Sequence, residues 1–300
     1  MTALSRRRFL TMSAACAVFP AGAKSAPTAH WRGVALGASA SLRLEGLTDT
    51  QAAPIIAAVE AEVNRLENTF SLYRPQSELS RLNRDGHLST PAPELLNVLS
   101  LCSALHEATD GVFDPSVQPL WSALANGATS QEIHSARKSI GWSRVFIGAE
   151  MIRLPRPGLS ALTLNGIAQG AITDRIAALL AVHGLRDVLV NMGEISARGH
   201  RQDGQAWQVG MAGPGREVLK SIELSDRAVA TSDAGNFMLT DDQGHILNPQ
   251  DETAASHMVS VSAPSAAIAD GLSTALCALP ETRVDAVVRS FPEARIEMYI

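Results

Sequence analysis

The period of the apolar pattern switches repeatedly along this chain, and that restricts the fold more than any other feature. Val34, Leu36, Ala38, Ala40, Leu42 and Leu44 recur at every second residue, as in a half-buried strand. Ile55, Ile56, Val59, Val63, Leu66 and Phe70 then recur at three and four, an amphipathic helix with Pro54 in its first turn. Ser77 is placed to cap a short helix reaching Arg84, and a longer helix is predicted over 94–109. Thr129 and Glu132 have the spacing of a capping box before another. Short strands are predicted at 145–147 and 151–154, joined around Gly148. A strand end near Leu162 then leads through a glycine turn into a helix that runs to Gly184. Residues 188–192, 207–211, 222–224 and 259–262 read as further strands, 265–279 as a helix rich in small residues, and 284–289 and 296–300 as a final helix and strand. Several strands follow one another directly. That favours an α+β fold, with mixed, largely antiparallel sheets and packed helices, over a doubly wound parallel sheet. No repeat, low-complexity block or Pro/Ser linker divides the chain.

Charge and composition remove whole classes of function. Lys and Arg total 25 against 30 Asp and Glu, a formal charge of −5 with no basic block, which argues against general nucleic-acid binding. A hydrophobic fraction of 46% excludes global disorder. No apolar run is long enough for a polytopic membrane protein. Three cysteines cannot build a zinc ribbon or a disulfide-dense scaffold.

Residues 1–23 read as an address rather than structure. Arg6-Arg7-Arg8-Phe9-Leu10 precedes a short, weakly apolar stretch and the small residues Ala21-Gly22-Ala23, the layout of a twin-arginine export signal cleaved after Ala23. A lipoprotein anchored through Cys16 is the alternative, although Ser13 rather than Leu stands three residues before it. Cleavage removes three arginines and no acid, taking the formal charge from −5 to −8, and leaves residues 24–300 as one domain. Cys102 and Cys277 remain, both in apolar, helix-like stretches, so buried free thiols are expected; an oxidising compartment also permits a bridge.

Four segments carry more chemistry than scaffold needs. Asn165-Gly166-Ile167-Ala168-Gln169-Gly170 sets two glycines at a helix start, where backbone N–H groups suit phosphate. Asp270 and Thr274 lie four apart on a helix and face one side, a carboxylate and a hydroxyl able to hold a hard cation; a surface pair is the plain reading. Thr109-Asp110-Gly111-Val112-Phe113-Asp114-Pro115 is an acidic turn, and turns of this composition are often only turns. Gly244-His245-Ile246-Leu247-Asn248-Pro249 sets a histidine beside an Asn-Pro turn, where a surface or capping role is the common one.

Together with Phe70-Ser71-Leu72-Tyr73, Ser77 to Asn83, Asn191-Met192-Gly193-Glu194 and Ala230-Thr231-Ser232, and in this order, these segments resemble the FAD:protein FMN transferase (ApbE) family over essentially the whole chain after the leader. The resemblance implies an enzyme that uses Mg²⁺ to cut FAD between its phosphates. FMN is joined by a phosphoester to a Thr or Ser hydroxyl of a membrane-bound redox protein on the exported side, and AMP is released. By resemblance, Asp270, Thr274 and the Gly166 carbonyl match the metal ligands. Leu36, Tyr73, Val112, Phe113, Asp114, Thr163, Gln169 and Leu247 match flavin-nucleotide contacts. Asp270 and His245 match catalytic positions, His245 assisting proton transfer or polarising a phosphate. The implied location is periplasmic, with the twin-arginine machinery and the acceptor flavoprotein as partners. The family often has Asp at the position of Thr163, Lys at Gln169 and Asp at Asn248, so three charges near the nucleotide are replaced by neutral polar groups. Residues 165–170, the Asn191–Glu194 segment and the leader also resemble a subgroup that accompanies nitrous-oxide respiration. An enzyme that only hydrolyses FAD to FMN and AMP, and an exported flavin-binding protein without catalysis, are the competing readings.

Overall fold

The computed structural model describes residues 27–213, 215, 217–250 and 255–300. The leader, its cleavage point and Cys16 lie outside these residues.

The first strand read from the sequence is two. Strands β1 (Thr28–Ala35) and β2 (Ala38–Glu45) form a hairpin in which Ala35 faces Ala38. Leu36 and Gly37 between them both adopt positive φ, +46° and +84°, so the connection is the tight primed turn that matches strand twist. The every-second-residue pattern runs through the turn because two loop residues preserve its parity. Helix α1 (Asp49–Phe70) begins five residues before Pro54, at a capping box between Thr48 and Gln51. Pro54 therefore sits in its second turn, not its first. Its buried stripe is Ala52, Val59, Val63, Leu66 and Phe70.

Helix α2 (Glu78–Asp85) starts at Ser77, whose Oγ accepts from the Ser80 N–H at 3.0 Å, and stops at Gly86 with φ +73°. Strand β3 (His87–Ser89), helices α3 (Pro93–Ala108), α4 (Gln118–Ala125) and α5 (Ser130–Ser139), and strands β4 (Phe146–Ile147) and β5 (Met151–Arg153) follow. The Thr129–Glu132 box caps α5. No strand forms at Leu162. The chain instead enters helix α6 (Ala168–Val182) directly from the glycine turn.

The second half is mostly sheet: β6 (Val188–Asn191), β7 (Ile195–Arg198), β8 (Trp207–Ala212), β9 (Val218–Leu224), β10 (Arg227–Asp233) and β11 (Met258–Ala263). Helices α7 (Ala266–Cys277) and α8 (Glu281–Arg289) and strand β12 (Arg295–Tyr299) end the chain. The main sheet has seven strands in the order β1-β2-β6-β7-β10-β11-β12, every neighbouring pair antiparallel. The fold is thus α+β, and its sheets are antiparallel throughout the described residues.

Both faces of that sheet are covered, which explains why β6 and β11 are buried along their whole length. Val188, Val190, Val259 and Val261 point to the side packed by helices, with Ile172, Ile176 and Leu276 in the same core. Leu189, Ile195, Val229 and Met258 point to the other, where the β8–β9 hairpin covers them with Trp207, Val209, Met211 and Leu224. Cys102 and Cys277 are buried and unbridged, and burial raises both thiol pKa values, that of Cys277 to about 12. Neither is a reactive thiolate at neutral pH.

Small residues let α6 and α7 meet closely on the helical side. An added Cβ at Gly170 would lie 2.3 Å from the Ala266 carbonyl oxygen; Gly271 does the same for α7 against α3, where an added Cβ would lie 2.3 Å from Leu105 Cδ1. The start of α7 is then fixed by Asp174 of α6, whose carboxylate accepts from the Ala266 and Ala267 N–H groups at 2.8 and 3.0 Å and from Ser265 Oγ at 2.6 Å. A carboxylate there caps the orphan amides and faces the positive end of the helix dipole. Asp174→Ala should therefore cost about 1–2 kcal/mol, measurable by urea unfolding.

Candidate active site

A cavity of about 1040 Å³ opens on the side of the helices, at the upper end of the range of about 300–1,000 Å³ usual for small-molecule sites. Its wall is assembled from the β1–β2 turn, the segment after α1, the loop before α4, the approach to α6, the β6–β7 turn, the end of β10, the loop after it, and α7. Leu36, Tyr73, Val112, Phe113, Asp114, Thr163, Gly166, Gln169, His245, Leu247, Asp270 and Thr274 all line it. Asn248 does not. Its side chain accepts from the Gln250 N–H and reaches the Ala278 carbonyl, so the neutral residue there belongs to a turn and not to the cavity wall.

Asp270 forms the floor. It is 4% exposed, and its Oδ2 accepts from the Gly170 N–H at 2.9 Å. Gly170 is the third residue of α6, where an N–H has no carbonyl to reach inside the helix, so the carboxylate caps α6 directly from α7. Burial is the main cause that lifts the Asp270 pKa to about 7, with the Gly170 hydrogen bond opposing it. Thr274, one turn on, presses against Gly166: an added Cβ there would lie 2.7 Å from Thr274 Cγ2 and 2.9 Å from its Oγ1. The Thr274 hydroxyl is also 3.2 Å from Ser232 Oγ, which pairs with Ser273 Oγ at 2.8 Å.

The donor chemistry at this point is one carboxylate, one hydroxyl and a backbone carbonyl beside a helix N-terminus. Among the described residues no group of three or more His, Cys, Asp or Glu side chains is arranged to hold a metal. A set of few, hard oxygens fits Mg²⁺, which completes its shell with water and substrate phosphate, and not a soft or fully caged ion.

The acidic turn divides into two roles. Asp110, at φ +48°, faces outward and pairs with Arg283 at 2.6 Å. Asp114 lines the cavity, but its Oδ1 accepts from the Ser116 N–H and Oγ at 2.7 and 2.6 Å and its Oδ2 from the Trp142 N–H at 3.4 Å. It therefore holds the Val112–Phe113 wall in place more than it offers a charge. Gln169 packs on Gly193, where φ is +109° and a Cβ would lie 2.6 Å from Gln169 Cδ. Tyr73, 61% exposed, stands at the open side with its ring available to a ligand. The turn residue Leu36 is held by Glu67, which accepts the Leu36 N–H at 2.7 Å and is itself gripped by Arg74.

His245 is half-buried, and burial lowers its pKa. Its Nδ1 lies 3.2 Å from the Phe237 carbonyl oxygen, so the neutral ring carries its proton on Nδ1 and Nε2 is the basic nitrogen. Asp233 and Arg74, which the sequence reading did not name, also line the cavity, as does Glu194, named there only within the Asn191–Glu194 segment and without a role. Their signal was weak because each sits in a turn or at a strand end, where a charge is ordinary. Counting them, the wall holds five carboxylates (Glu67, Asp114, Glu194, Asp233, Asp270) against one guanidinium.

The model of the ApbE family matches residues 36–300. The FAD:protein FMN transferase of Salmonella typhimurium is 26% identical over 306 residues, covering 94% of this chain and 87% of that protein. The FAD:protein FMN transferase of Chlamydia trachomatis is 30% identical and covers 73% of each. Among solved structures, the apo form of the flavinyl transferase ApbE of Pseudomonas stutzeri superposes with a TM-score of 0.75 at 26% identity, covering 87% of this chain and 88% of that one. The flavin transferase ApbE of Vibrio cholerae superposes at 0.77 and 24% identity, covering 90% and 93%.

Proposed function

The chain belongs to the ApbE family, and from that premise we propose that it is a Mg²⁺-dependent FAD:protein FMN transferase. In the proposed reaction a Thr or Ser hydroxyl of an acceptor protein attacks the FMN-side phosphorus of FAD. The P–O bond to the AMP half breaks, AMP leaves, and the hydroxyl proton is taken up by a base. The observation that supports this most is the convergence of the Asp270–Thr274 pair, the N-terminus of α6 and His245 on one cavity large enough for a dinucleotide.

Each residue then has a task its surroundings allow. Asp270, Thr274 and the Gly166 carbonyl would hold the cation, which when bound neutralises charge developing on the phosphate oxygens. The α6 N-terminus favours the pyrophosphate by its dipole and by the Gln169 N–H, the Ala168 and Gly170 N–H groups being held by the Leu164 carbonyl and Asp270. Leu36, Tyr73, Val112, Phe113 and Leu247 form the apolar surface for the flavin. Thr163 and Gln169 offer hydrogen bonds without charge. Neutral His245 takes the acceptor proton at Nε2.

The export signal read in residues 6–23 supports a periplasmic location reached by the twin-arginine machinery, and hence an acceptor exposed on that side. A membrane flavoprotein of nitrous-oxide respiration is the acceptor to try first. Incubating the protein with FAD, Mg²⁺ and that acceptor should yield a fluorescent acceptor band and one AMP per flavin attached. AMP release at the same rate without acceptor would replace this reading with FAD hydrolysis. Tight FAD binding with no AMP would replace it with flavin binding alone.

A further inference from the structure

Three hydroxyls run in a chain between β10 and α7, where the strand packs on the helix. Ser273 Oγ donates to the Asp270 carbonyl oxygen at 3.0 Å, one turn back on the same helix. Ser232 Oγ, on β10, lies 2.8 Å from Ser273 Oγ and 3.2 Å from Thr274 Oγ1. Ser273 is fully buried, whereas Ser232 and Thr274 reach the cavity wall. The backbone of Ser232 is tied to α7 as well, since Cys277 Sγ donates to its carbonyl oxygen at 3.4 Å.

Counting protons fixes the direction of this chain. A hydroxyl has one proton to give and lone pairs with which to accept, and a backbone carbonyl can only accept. Three contacts need three protons, and the three hydroxyls supply one each. Ser273 gives its proton to the Asp270 carbonyl, so the contact between Ser232 and Ser273 is filled by the Ser232 proton, and Thr274 donates to Ser232. Were Ser232 to donate to Thr274 instead, two oxygens would face each other at 2.8 Å with no proton between them, beside a side chain shut off from water.

The direction matters at the far end. With its proton committed to Ser232, Thr274 Oγ1 keeps its lone pairs for the side of Gly166, where an added Cβ would lie 2.9 Å from it. A hydroxyl ligates a hard cation through a lone pair, and a proton turned toward the ion opposes it. We propose that Ser232 is a positioning residue for the cation site: it takes the Thr274 proton, passes its own to Ser273, and so holds the Thr274 hydroxyl in the orientation that can ligate. This rests on the cation reading given above and deepens it by a residue that acts through Thr274 and not on the ion.

The test is Mn²⁺ binding to the flavin-free protein, followed by electron paramagnetic resonance of free Mn²⁺, with the thermal midpoint of each metal-free variant as the control for folding. Ser232→Ala removes the acceptor of the Thr274 proton and should weaken binding about 10–100-fold, the range for loss of a group that orients a ligand. Ser273→Ala removes no group of the proposed shell, yet it frees the Ser232 proton to turn on Thr274, so binding should fall about tenfold there too. Thr274→Val keeps the shape of the side chain without its hydroxyl. In that background Ser232→Ala should change affinity by less than about twofold, because its effect passes through Thr274. Parent-like affinity in Ser232→Ala overturns the proposal, and should that variant not fold, parent-like affinity in Ser273→Ala does so. An equal loss from Ser232→Ala with and without the Thr274 hydroxyl also overturns it, since Ser232 would then act on the ion directly or through the fold. Asp270→Asn separates the two readings. Weakened binding there beside a parent-like Ser232→Ala removes only the part given to Ser232, whereas parent-like binding in both means that the cation reading itself has failed.

Discussion

Asp270→Asn should lower flavin transfer by about a thousandfold or more while making the metal-free protein more stable above neutral pH. The first half follows from the donor set: an amide oxygen carries no charge, and several kcal/mol of cation-based stabilisation is lost with it. The second half follows from linkage. Burial raises the Asp270 pKa from 3.8 to about 7, so the folded state binds this proton more tightly than the unfolded chain does. The stabilisation that results is complete below pH 3.8 and is lost as pH rises toward 7. Asparagine has no proton to lose. The gain in thermal midpoint of the variant over the parent should therefore be small near pH 4, grow up to about pH 7, and level off beyond. Calorimetry across that range, with and without Mg²⁺, separates the two effects. Mg²⁺ should restore the parent at pH 8 and leave the variant unmoved. An equal response of both proteins to Mg²⁺ would remove Asp270 from the proposed cation site.

Gly170→Ala should cost about 3 kcal/mol or more of stability, the upper end for overpacking, because its methyl group would meet backbone and not a movable side chain. The added Cβ would lie 2.3 Å from the Ala266 carbonyl oxygen, 2.6 Å from its carbon and 2.7 Å from Ala267 Cα. Relief requires α7 to move off α6, and that motion also takes Asp270 away from the Gly170 N–H. For a chain of this size the thermal midpoint should fall by about 6–12 °C. Transfer should fall along with it even at temperatures where the variant remains folded. Gly166→Ala is the contrast. Its methyl group would meet the Thr274 side chain, which can rotate, so stability should change little while cation affinity drops. Equal stability losses in the two variants would contradict the packing described for α6 and α7.

Much of the local architecture was legible because its causes are local. The stripe of α1, the Ser77 cap of α2, the Thr129–Glu132 box of α5 and the one-sided placement of Asp270 and Thr274 depend only on residues a few positions apart. The hairpin at Leu36-Gly37 was missed because a two-residue turn keeps the alternation intact, and the early start of α1 because Pro54 looked like a first-turn residue. Strands β7 and β10 were not read as strands. Being covered on both faces, they show no alternation, and their small and polar residues do not resemble a core.

Residue types and spacing by themselves determined the α+β class, most helix boundaries and the presence of a carboxylate–hydroxyl pair on one helix face. The tertiary structure alone decided which acids meet. It turned Asp110 outward to Arg283, spent Asp114 on a cap, removed Asn248 from the wall and put Glu194 on the wall of the same cavity as the pair on α7. The reason is physical: helix and turn geometry is set by neighbours in the chain, whereas the Gly170–Asp270 bond joins residues a hundred positions apart and exists only once small side chains have let α6 and α7 touch.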